Sequence, residues 1–220
     1  MQPTVTFFSG FNINDLWFLG EAALRTMWIS LLSISIGTVI GAIFGWILYE
    51  GKLAATLTVA PILDIFRSVP LIIQLVLFYN FAPIIGLNLD PFASGVVILT
   101  IYTASLVANV ARGGIEAVGT PMRRAARSLG MTYWQDLRHV VLPIGGRAVF
   151  PAWVGVALGV MKDSALVSVL GYVELLKASQ ILITRTQEPF LILTLAGAFY
   201  FALSYPISRY AAALEKRWAQ

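Results

Sequence analysis

The sequence predicts an all-α membrane protein with about five transmembrane helices. Of its 220 residues, 58% are hydrophobic and only 12% are charged, whereas roughly 25% of an ordinary soluble domain is charged. The charged residues are also concentrated between long apolar runs. A soluble chain of this length could not hide so much apolar surface, so we expect a lipid bilayer to cover it.

Charges mark where the membrane spans must end, because an ionisable group in mid-bilayer costs several kcal/mol and about 20 apolar residues cross the hydrocarbon. Four uncharged runs are long enough to cross: 26–49, 68–89, 91–111 and 189–208. The run 53–63 is too short and predicts a segment near the interface before the second span. A fifth run, 148–173, crosses only if Lys162 and Asp163 are tolerated at depth. No linker or low-complexity tract divides these runs, so we expect one transmembrane domain over residues 1–220.

Lysine and arginine are distributed unevenly over the two sides of this five-span layout. Three lie on one side: Arg25, Lys177 and Arg185. Ten lie on the other: Lys52, Arg112, Arg123, Arg124, Arg127, Arg138, Arg147, Arg209, Lys216 and Arg217. Because cytoplasmic loops carry the excess of basic residues, we expect the N-terminus outside and both the 112–147 loop and the C-terminus in the cytoplasm.

The long cytoplasmic loop has the pattern of two short helices around a glycine. Thr120 is a suitable N-cap with Pro121 at the first helical position, and Gly130 can take the left-handed conformation that ends a helix. Thr132 and Gln135 then form a capping box for the second helix. The loop is therefore predicted to be an organised helical hairpin rather than a slack linker.

The first of these helices combines a small apolar surface with basic side chains. Ala125, Ala126 and Leu129 provide the surface, and Arg123 and Arg127 lie beside it at a spacing of one turn. This combination suits docking of a short helix into a groove on another protein. A helix resting on anionic headgroups, and charges that only set topology, fit the same spacing.

The stretch RAARSLGMTYWQDLRHVVLP resembles the EAA loop of ABC importer permeases, with the pattern Glu-Ala-Ala, three residues, Gly, nine residues, an apolar residue, any residue, Leu-Pro. The residues at these positions are Arg124, Ala125, Ala126, Gly130, Val140, Leu142 and Pro143. Arg124 stands where the pattern has glutamate. We expect the second helix to end at Leu142, because a helix tends to stop before proline.

Three further segments are similar to the polar-amino-acid branch of this family: FRSVPLIIQL at 66–75, ARGGIEAV at 111–118 and MKDSALVSVLGYVEL at 161–175. Together with LEKRW near the end, the resemblance covers nearly the whole chain. It implies a type I ABC importer permease fold in the bacterial cytoplasmic (inner) membrane. It also implies a translocation subunit rather than an enzyme, which forms the pathway for a polar amino acid.

The resemblance implies a set of partners as well. These are a second permease subunit, identical or different, two cytoplasmic ATPase subunits and an extracytoplasmic amino-acid-binding protein, all acting in membrane lipid. The chain has no P-loop pattern G-x-x-x-x-G-K-[ST]. We therefore expect this chain to bind no cofactor, and ATP and magnesium to bind to the partner ATPase.

Polar residues within the apolar runs are candidates for the substrate pathway. Lys162, Asp163 and neighbouring Ser164 interrupt the fourth span, and intramembrane charges normally face a bundle interior or a wet cavity. Neutralisation of one charge by the other, or a role in holding a break in the helix, is an equally open interpretation. The carboxylate and ammonium of an amino acid are groups that such residues could contact.

The second and third spans carry the other candidates. Arg67, Ser68 and Gln74 lie on either side of Pro70, where a freed carbonyl group is a further possible lining element. A helix end at the membrane surface explains Arg67 equally well. Asn109 stands in the third span where the family usually has an acidic residue. The sequence does not choose among glutamate, glutamine, histidine, arginine and other amino acids as substrate.

Composition gives no support to several other classes of function. The chain has no cysteine and one histidine, His139, which gives no indication of a metal site or of thiol chemistry. The net charge of +4 does not indicate nucleic-acid binding, because the basic residues lie between apolar runs without an aromatic-rich polar platform. A self-contained secondary carrier or channel is the alternative function, although no inverted repeat is visible in the sequence.

Overall fold

Helices form all the regular structure in the part of the chain that the structure describes. This computed structural model describes residues 10–218, apart from the side chain of Lys52. Its α-helices are α1 (Ile13–Glu50), α2 (Lys52–Ser68), α3 (Leu71–Phe81), α4 (Pro91–Glu116), α5 (Thr120–Ser128), α6 (Tyr133–Asp136), α7 (Leu142–Asp163), α8 (Leu175–Thr186) and α9 (Pro189–Trp218). Short 3₁₀ helices follow α3 at Ala82–Ile85 and α7 at Ser164–Leu170, and a π-helical turn, Leu137–Val141, joins α6 to α7. The all-α prediction is confirmed, while the predicted position of the N-terminus concerns residues outside the described range.

Four helical stretches are long and apolar enough to cross a membrane, and they cover four of the predicted spans: Ile13–Glu50, Pro91–Ala117, Tyr133–Leu170 and Pro189–Trp218. The pair Leu53–Ser68 and Leu71–Ile85 provides a fifth if the two bent helices count as one span. The first helix is longer than predicted. At 1.5 Å per residue its 38 residues extend about 57 Å, which exceeds the roughly 30 Å of hydrocarbon in a bilayer.

The second span, predicted over 68–89, is preceded by a helix that bends sharply into it. Helix α2 takes in the supposed interfacial run 53–63 and ends at Ser68, and α3 starts after a bend of 101°. The cause is Pro70, which forces the preceding residue out of the helical region. Val69 is accordingly extended, with φ −79° and ψ 128°. Leu63 of α2 is buried in a cluster with Leu48, Ala55 and Ala108, so α2 packs against the bundle.

At the start of the fourth span a predicted helix end is missing, because the helix does not stop before Pro143. The helix that starts at Tyr133 continues through Pro143 to Asp163. It accommodates the proline through the preceding π-helical turn, where the backbone N–H of Leu142 bonds to the carbonyl of Leu137, five residues back. A wider turn next to a proline relieves the ring's clash with the previous turn.

Helix α1 packs along α4 at a distance that only glycine allows. A Cβ atom on Gly41 would lie 2.7 Å from Cβ of Val107 and 2.8 Å from the carbonyl oxygen of Ala104. Gly37 and Gly45, one turn away on either side, meet α4 just as closely. Small residues at four-residue spacing thus let the two helix backbones approach closely.

The glycines of the fourth span behave differently. Gly145, in the first turns of α7, lies directly against the backbone of Gly114 in α4, so that α4 is held between α1 and α7. A Cβ on Gly155 or Gly159, by contrast, would meet no atom within 4 Å. Gly155 and Gly159 therefore bring no second helix close to α7 within the described residues.

The N-terminal part of α1 packs against α8 and α9. Leu19, Ala22 and Ala23 of α1 form a buried cluster with apolar residues of those two helices. The side chain of Arg185 at the end of α8 pairs with Asp15, which is buried in the first turn of α1. This end of the bundle is therefore closed by an ion pair as well as by apolar packing.

We expect Gly41→Ala to destabilise the protein by about 1–3 kcal/mol, because the added methyl group must displace Val107 or the backbone at Ala104. Gly20→Ala in the same helix is the matched control, since a Cβ there meets no atom within 4 Å and alanine favours a helix more than glycine. Thermal unfolding in detergent should give a lower Tm for Gly41→Ala and no decrease for Gly20→Ala. An unchanged Tm in Gly41→Ala would contradict the close packing of α1 on α4.

Candidate functional site

The loop at 112–147 folds as a helical hairpin around Gly130. Helix α5 begins at Thr120, with Gly119 rather than Thr120 in the N-cap position and Pro121 second in the helix, so the predicted cap is one residue out. Gly130 has φ +84°, as predicted. Its N–H bonds to the carbonyl of Arg127 at 2.9 Å, and the next N–H, of Met131, bonds to that of Ala126 at 3.2 Å. This pair of bonds is the Schellman ending that glycine favours.

The predicted capping box of the second helix is also confirmed. The backbone N–H of Thr132 donates to Oε1 of Gln135 at 2.8 Å, and the N–H of Gln135 donates to Oγ1 of Thr132 at 3.4 Å. These reciprocal bonds fix the start of the helix that runs on into α7.

Helix α5 has an inward face and an outward face, and they divide the predicted coupling residues. Arg123 and Ala126, three residues apart, are buried against the rest of the chain. Arg124, Ala125 and Arg127 are exposed on the helix. Leu129 and Gly130, just beyond the helix, are exposed too, and so are Leu142 and Pro143 at the start of α7. The two alanines of the pattern therefore differ in role, because Ala126 packs against the rest of the chain and Ala125 is accessible to a partner.

Arg123 forms a buried ion pair beneath α5. Its Nε lies 2.8 Å from Oδ2 of Asp136, which is fully buried, and its Nη1 donates to the hydroxyl of Tyr49 at 2.9 Å. The guanidinium carbon also lies 5.5 Å from the ring centroid of Tyr49 and 6.0 Å from that of Tyr133, within cation–π range. Burial by itself lowers the pKa of Arg123, but the Asp136 carboxylate and the Tyr49 hydroxyl raise the pKa above its ordinary value.

Aromatic and acidic side chains extend this contact to the end of α1. The indole N–H of Trp46 donates to the hydroxyl of Tyr133 at 2.7 Å, and that hydroxyl donates to Oε1 of Glu50 at 2.7 Å. We refer to Arg123, Asp136, Tyr49, Tyr133, Trp46 and Glu50 as the loop anchor. The loop anchor joins the inward face of α5 and the start of the second helix to the last turn of α1, so displacement of α5 strains α1 as well.

Asp136 and Tyr49 were not identified from the sequence. A signal for Asp136 was present, because it is the sole acidic residue in the stretch 117–147, which contains five arginines. A lone carboxylate among several arginines has an arginine as its natural partner. Tyr49 gave no such signal, since a tyrosine at the end of a span is ordinary.

The candidate pathway residues of the fourth span lie where the helix changes type. Helix α7 ends at Asp163, and the chain continues from Ser164 as a 3₁₀ helix. Ser164 is buried, donates to the carbonyl of Met161 at 2.8 Å and receives a hydrogen bond from the Ser30 hydroxyl at 3.1 Å. Lys162 is exposed and Asp163 is half-buried. Ser164 therefore has a structural role, whereas the side chains of its neighbours Lys162 and Asp163 are accessible.

Gln74 stabilises the break in the second span. Its Nε2 donates to the carbonyls of Phe66 at 2.8 Å and Val69 at 2.7 Å. In an unbroken helix the partner of the Phe66 carbonyl would be the N–H of residue 70, and Pro70 has none. The freed carbonyl predicted from the sequence is therefore satisfied by Gln74, whose Oε1 is buried without a partner among the described residues.

The remaining pathway candidates are divided between two places. Arg67 and Ser68 are exposed at the end of α2, and Arg67 pairs with Asp64 one turn earlier. The breaks of the second and fourth spans lie close together, because residues near each of them pack in one cluster. The residues near the second-span break are Leu71 and Leu75, and those near the fourth-span break are Val160 and Val167. Asn109 is exposed on α4, ten residues beyond Leu99 of that cluster, or about 15 Å along the helix axis. It does not join the two breaks.

Another polar centre lies outside all the predicted sites. Glu174 is fully buried and caps α8, accepting hydrogen bonds from the N–H groups of Leu176 and Lys177, both at 2.8 Å. The hydroxyls of Thr26 and Tyr200 also donate to it, at 3.4 and 3.3 Å. Glu174 thereby connects α8 to α1 and α9, and these hydrogen bonds give it a role in holding the three helices together.

Comparison with known proteins gives a consistent result. Residues 37–220 match the family model described as binding-protein-dependent transport system inner membrane component. The glutamine transport system permease protein of Escherichia coli K12 is 28% identical over 213 residues, which cover 94% of this chain and 97% of the relative. A probable glutamine ABC transporter permease protein of Bacillus subtilis is 34% identical over 154 residues, or 70% of this chain and 71% of the relative.

A solved structure agrees with the sequence comparisons. The chain superposes on a subunit from the crystal structure of an amino acid ABC transporter with histidines, with a TM-score of 0.81 and 29% identity over 91% of this chain and 94% of that chain. The predicted fold class and the resemblance drawn from the EAA-like loop are both confirmed. The chain belongs to the family of binding-protein-dependent transport system inner membrane components, the permease subunits of ABC importers.

Proposed function

We propose that this permease subunit forms the pathway for a polar amino acid and that ATP hydrolysis drives the transport through contact with α5. The observation that carries the proposal is the construction of the 112–147 loop. Its inward face is joined to α1 by the loop anchor, and its outward face is exposed. A short helix built in this way suits transmission of a partner's movement to the membrane domain.

The proposed assembly contains the partners that the sequence suggested. The family implies an ATPase and a binding protein, and the finer proposal is two cytoplasmic ATPase subunits, one extracytoplasmic amino-acid-binding protein and a second permease, identical or different. ATP and magnesium bind to the ATPase subunits. The two relatives named for glutamine make glutamine the first substrate to test.

The proposed orientation places the loop anchor in the cytoplasm and the Asp15–Arg185 pair at the external end of the bundle. The support is the excess of arginine and lysine at the loop-anchor end. We treat residues 1–220 as one transmembrane domain, because α1 packs against α4, α7, α8 and α9 along its length. A reporter fused after Gln220 should behave as cytoplasmic, and external activity would refute this orientation.

The proposed pathway passes the two helix breaks, with Lys162 and Asp163 as the residues that meet the substrate and Arg67 and Ser68 nearby. Interrupted helices at one depth offer backbone and side-chain polar groups inside the bilayer, a construction that transporters use for substrate sites. Ser164 and Gln74 support the breaks through their internal hydrogen bonds. Asn109 lies further along α4 and is proposed to line the same pathway at a second level.

Uptake by the complete assembly in reconstituted vesicles tests the function directly. We expect accumulation of one or a few polar amino acids, glutamine among them, only when ATP and the binding protein are both supplied. Accumulation driven by an ion gradient in the permease alone would favour the alternative, a self-contained secondary carrier or channel.

We expect Asp163→Asn to impair uptake, because it removes the charge that the substrate ammonium would meet while keeping the side-chain shape. Ser164→Ala is the comparison, since it deletes a buried hydroxyl hydrogen bond and should lower stability by about 1 kcal/mol with a smaller effect on substrate affinity. Uptake kinetics and Tm should be measured on both variants. If Asp163→Asn assembles and transports at the original rate and affinity, the pathway role of Asp163 is wrong.

The two alanines of α5 should respond differently to a bulky substitution. Ala125→Trp adds bulk to the exposed face and should weaken ATPase binding by roughly tenfold without lowering Tm, since overpacking a fitted contact costs about 1–3 kcal/mol. Ala126→Trp adds bulk to the buried face and should lower Tm of the permease itself.

Gly130→Val is a third variant, because a β-branched residue fits poorly at φ +84°, and it should reduce ATPase binding by disturbing the end of α5. Binding is measured by titrating the ATPase onto permease in lipid nanodiscs. Unchanged binding in both Ala125→Trp and Gly130→Val would remove the coupling assignment.

A further inference from the structure

The exposed part of the 112–147 loop carries positive charge without an internal partner. Arg124 and Arg127 are exposed on α5, one turn apart, and their side chains form no hydrogen bond or ion pair with the described residues. The one carboxylate between positions 117 and 147, Asp136, is buried and already paired with Arg123. The charge of Arg123 is thus neutralised within the fold, while those of Arg124 and Arg127 remain available.

Apolar groups accompany these two charges on the accessible side. Leu129 is 81% exposed and Met122 is 51% exposed, and the small side chain of Ala125 is exposed as well. Charged groups flanking a small apolar contact are typical of a surface that recognises one partner.

The arrangement favours a protein rather than lipid headgroups as the occupant. A helix that lies in a membrane interface buries a broad apolar face in the acyl region. The accessible side of α5 offers only Met122 and Leu129 for that purpose, and its other side is fixed to the chain by Arg123 and Ala126. The nine residues of α5 therefore cannot rotate to present a wider apolar face.

We propose, on the basis of the proposed coupling function, that the outward face of α5 binds a groove on the ATPase subunit that carries carboxylates opposite Arg124 and Arg127. Arginine pairs with a carboxylate through two parallel N–H···O bonds, which gives direction as well as attraction. Arg124 replaces the glutamate of the EAA pattern, so the charge required on the partner is reversed. The permease accordingly rejects an ATPase whose groove is basic, because like charges in a contact are costly.

Charge reversal on α5 tests this proposal. The permease is placed in nanodiscs of neutral phosphatidylcholine, and its partner ATPase is titrated at several salt concentrations. We expect Arg124→Glu and Arg127→Glu each to weaken binding by about tenfold or more and to flatten its salt dependence. Arg138→Glu is the matched control, because it makes the same charge change at an exposed arginine of the loop outside α5, and it should change affinity by less than about threefold.

Each outcome of this titration is decisive. Restoration of Arg124→Glu binding by a carboxylate-to-lysine change in the ATPase groove supports the proposal. Equal affinity of the original protein, Arg124→Glu and Arg127→Glu in neutral nanodiscs overturns it, and loss of function in these variants only with anionic lipid assigns α5 to headgroups instead. Failure of the original protein to bind the ATPase at all would refute the coupling function itself, a result distinct from the other two.

Discussion

The contact between α1 and α4 is the constraint on which the other packing in this permease depends. Three glycines bring the two backbones together, so neither helix can slide or rotate past the other without a collision. Helix α7 then lies against α4 through Gly145, and α8 and α9 lie against the N-terminal part of α1. The loop anchor holds α5 to the last turn of the same helix. A displacement of α5 is therefore transmitted to a set of helices that are packed together, and not to a single flexible segment.

Broken helices are tolerated beside this unit because their polar groups are satisfied within the protein. A carbonyl freed in the hydrocarbon would cost several kcal/mol. At the second span the amide of Gln74 replaces the missing N–H of Pro70, and at the fourth span Ser30 and Ser164 hydrogen-bond beside the change to a 3₁₀ helix. The breaks are thus stable parts of the fold, and beside them the side chains of Lys162 and Asp163 form no hydrogen bond or ion pair with the described residues.

The sequence predicted the features whose cause is local and missed those that depend on contacts across the chain. Gly130 and the capping box at Thr132 follow from residues within a turn of each other, and both were correctly placed. The freed carbonyl near Pro70 was predicted too, because it follows from one residue, whereas the packing of α2 before the bend depends on contacts with α1 and α4. Arg123 was placed beside the docking surface because it lies one helical turn from Arg127. Its burial depends on Asp136 and Tyr49, and no local pattern joins Arg123 to a tyrosine 74 residues away.

That separation of 74 residues also sets the order in which the protein matures during synthesis. The end of α1, with Trp46, Tyr49 and Glu50, reaches the membrane surface well before Arg123 and Tyr133 leave the ribosome. At about 5–20 residues per second the interval is roughly 4–15 s. During the first part of it α1 lacks the glycine-matched surface of α4, and during all of it α1 lacks its polar partners in the loop. The first helix can therefore pack on α4 before the arginine loop fixes its end, and the loop anchor forms while most of α7 and all of α8 and α9 are still to be made.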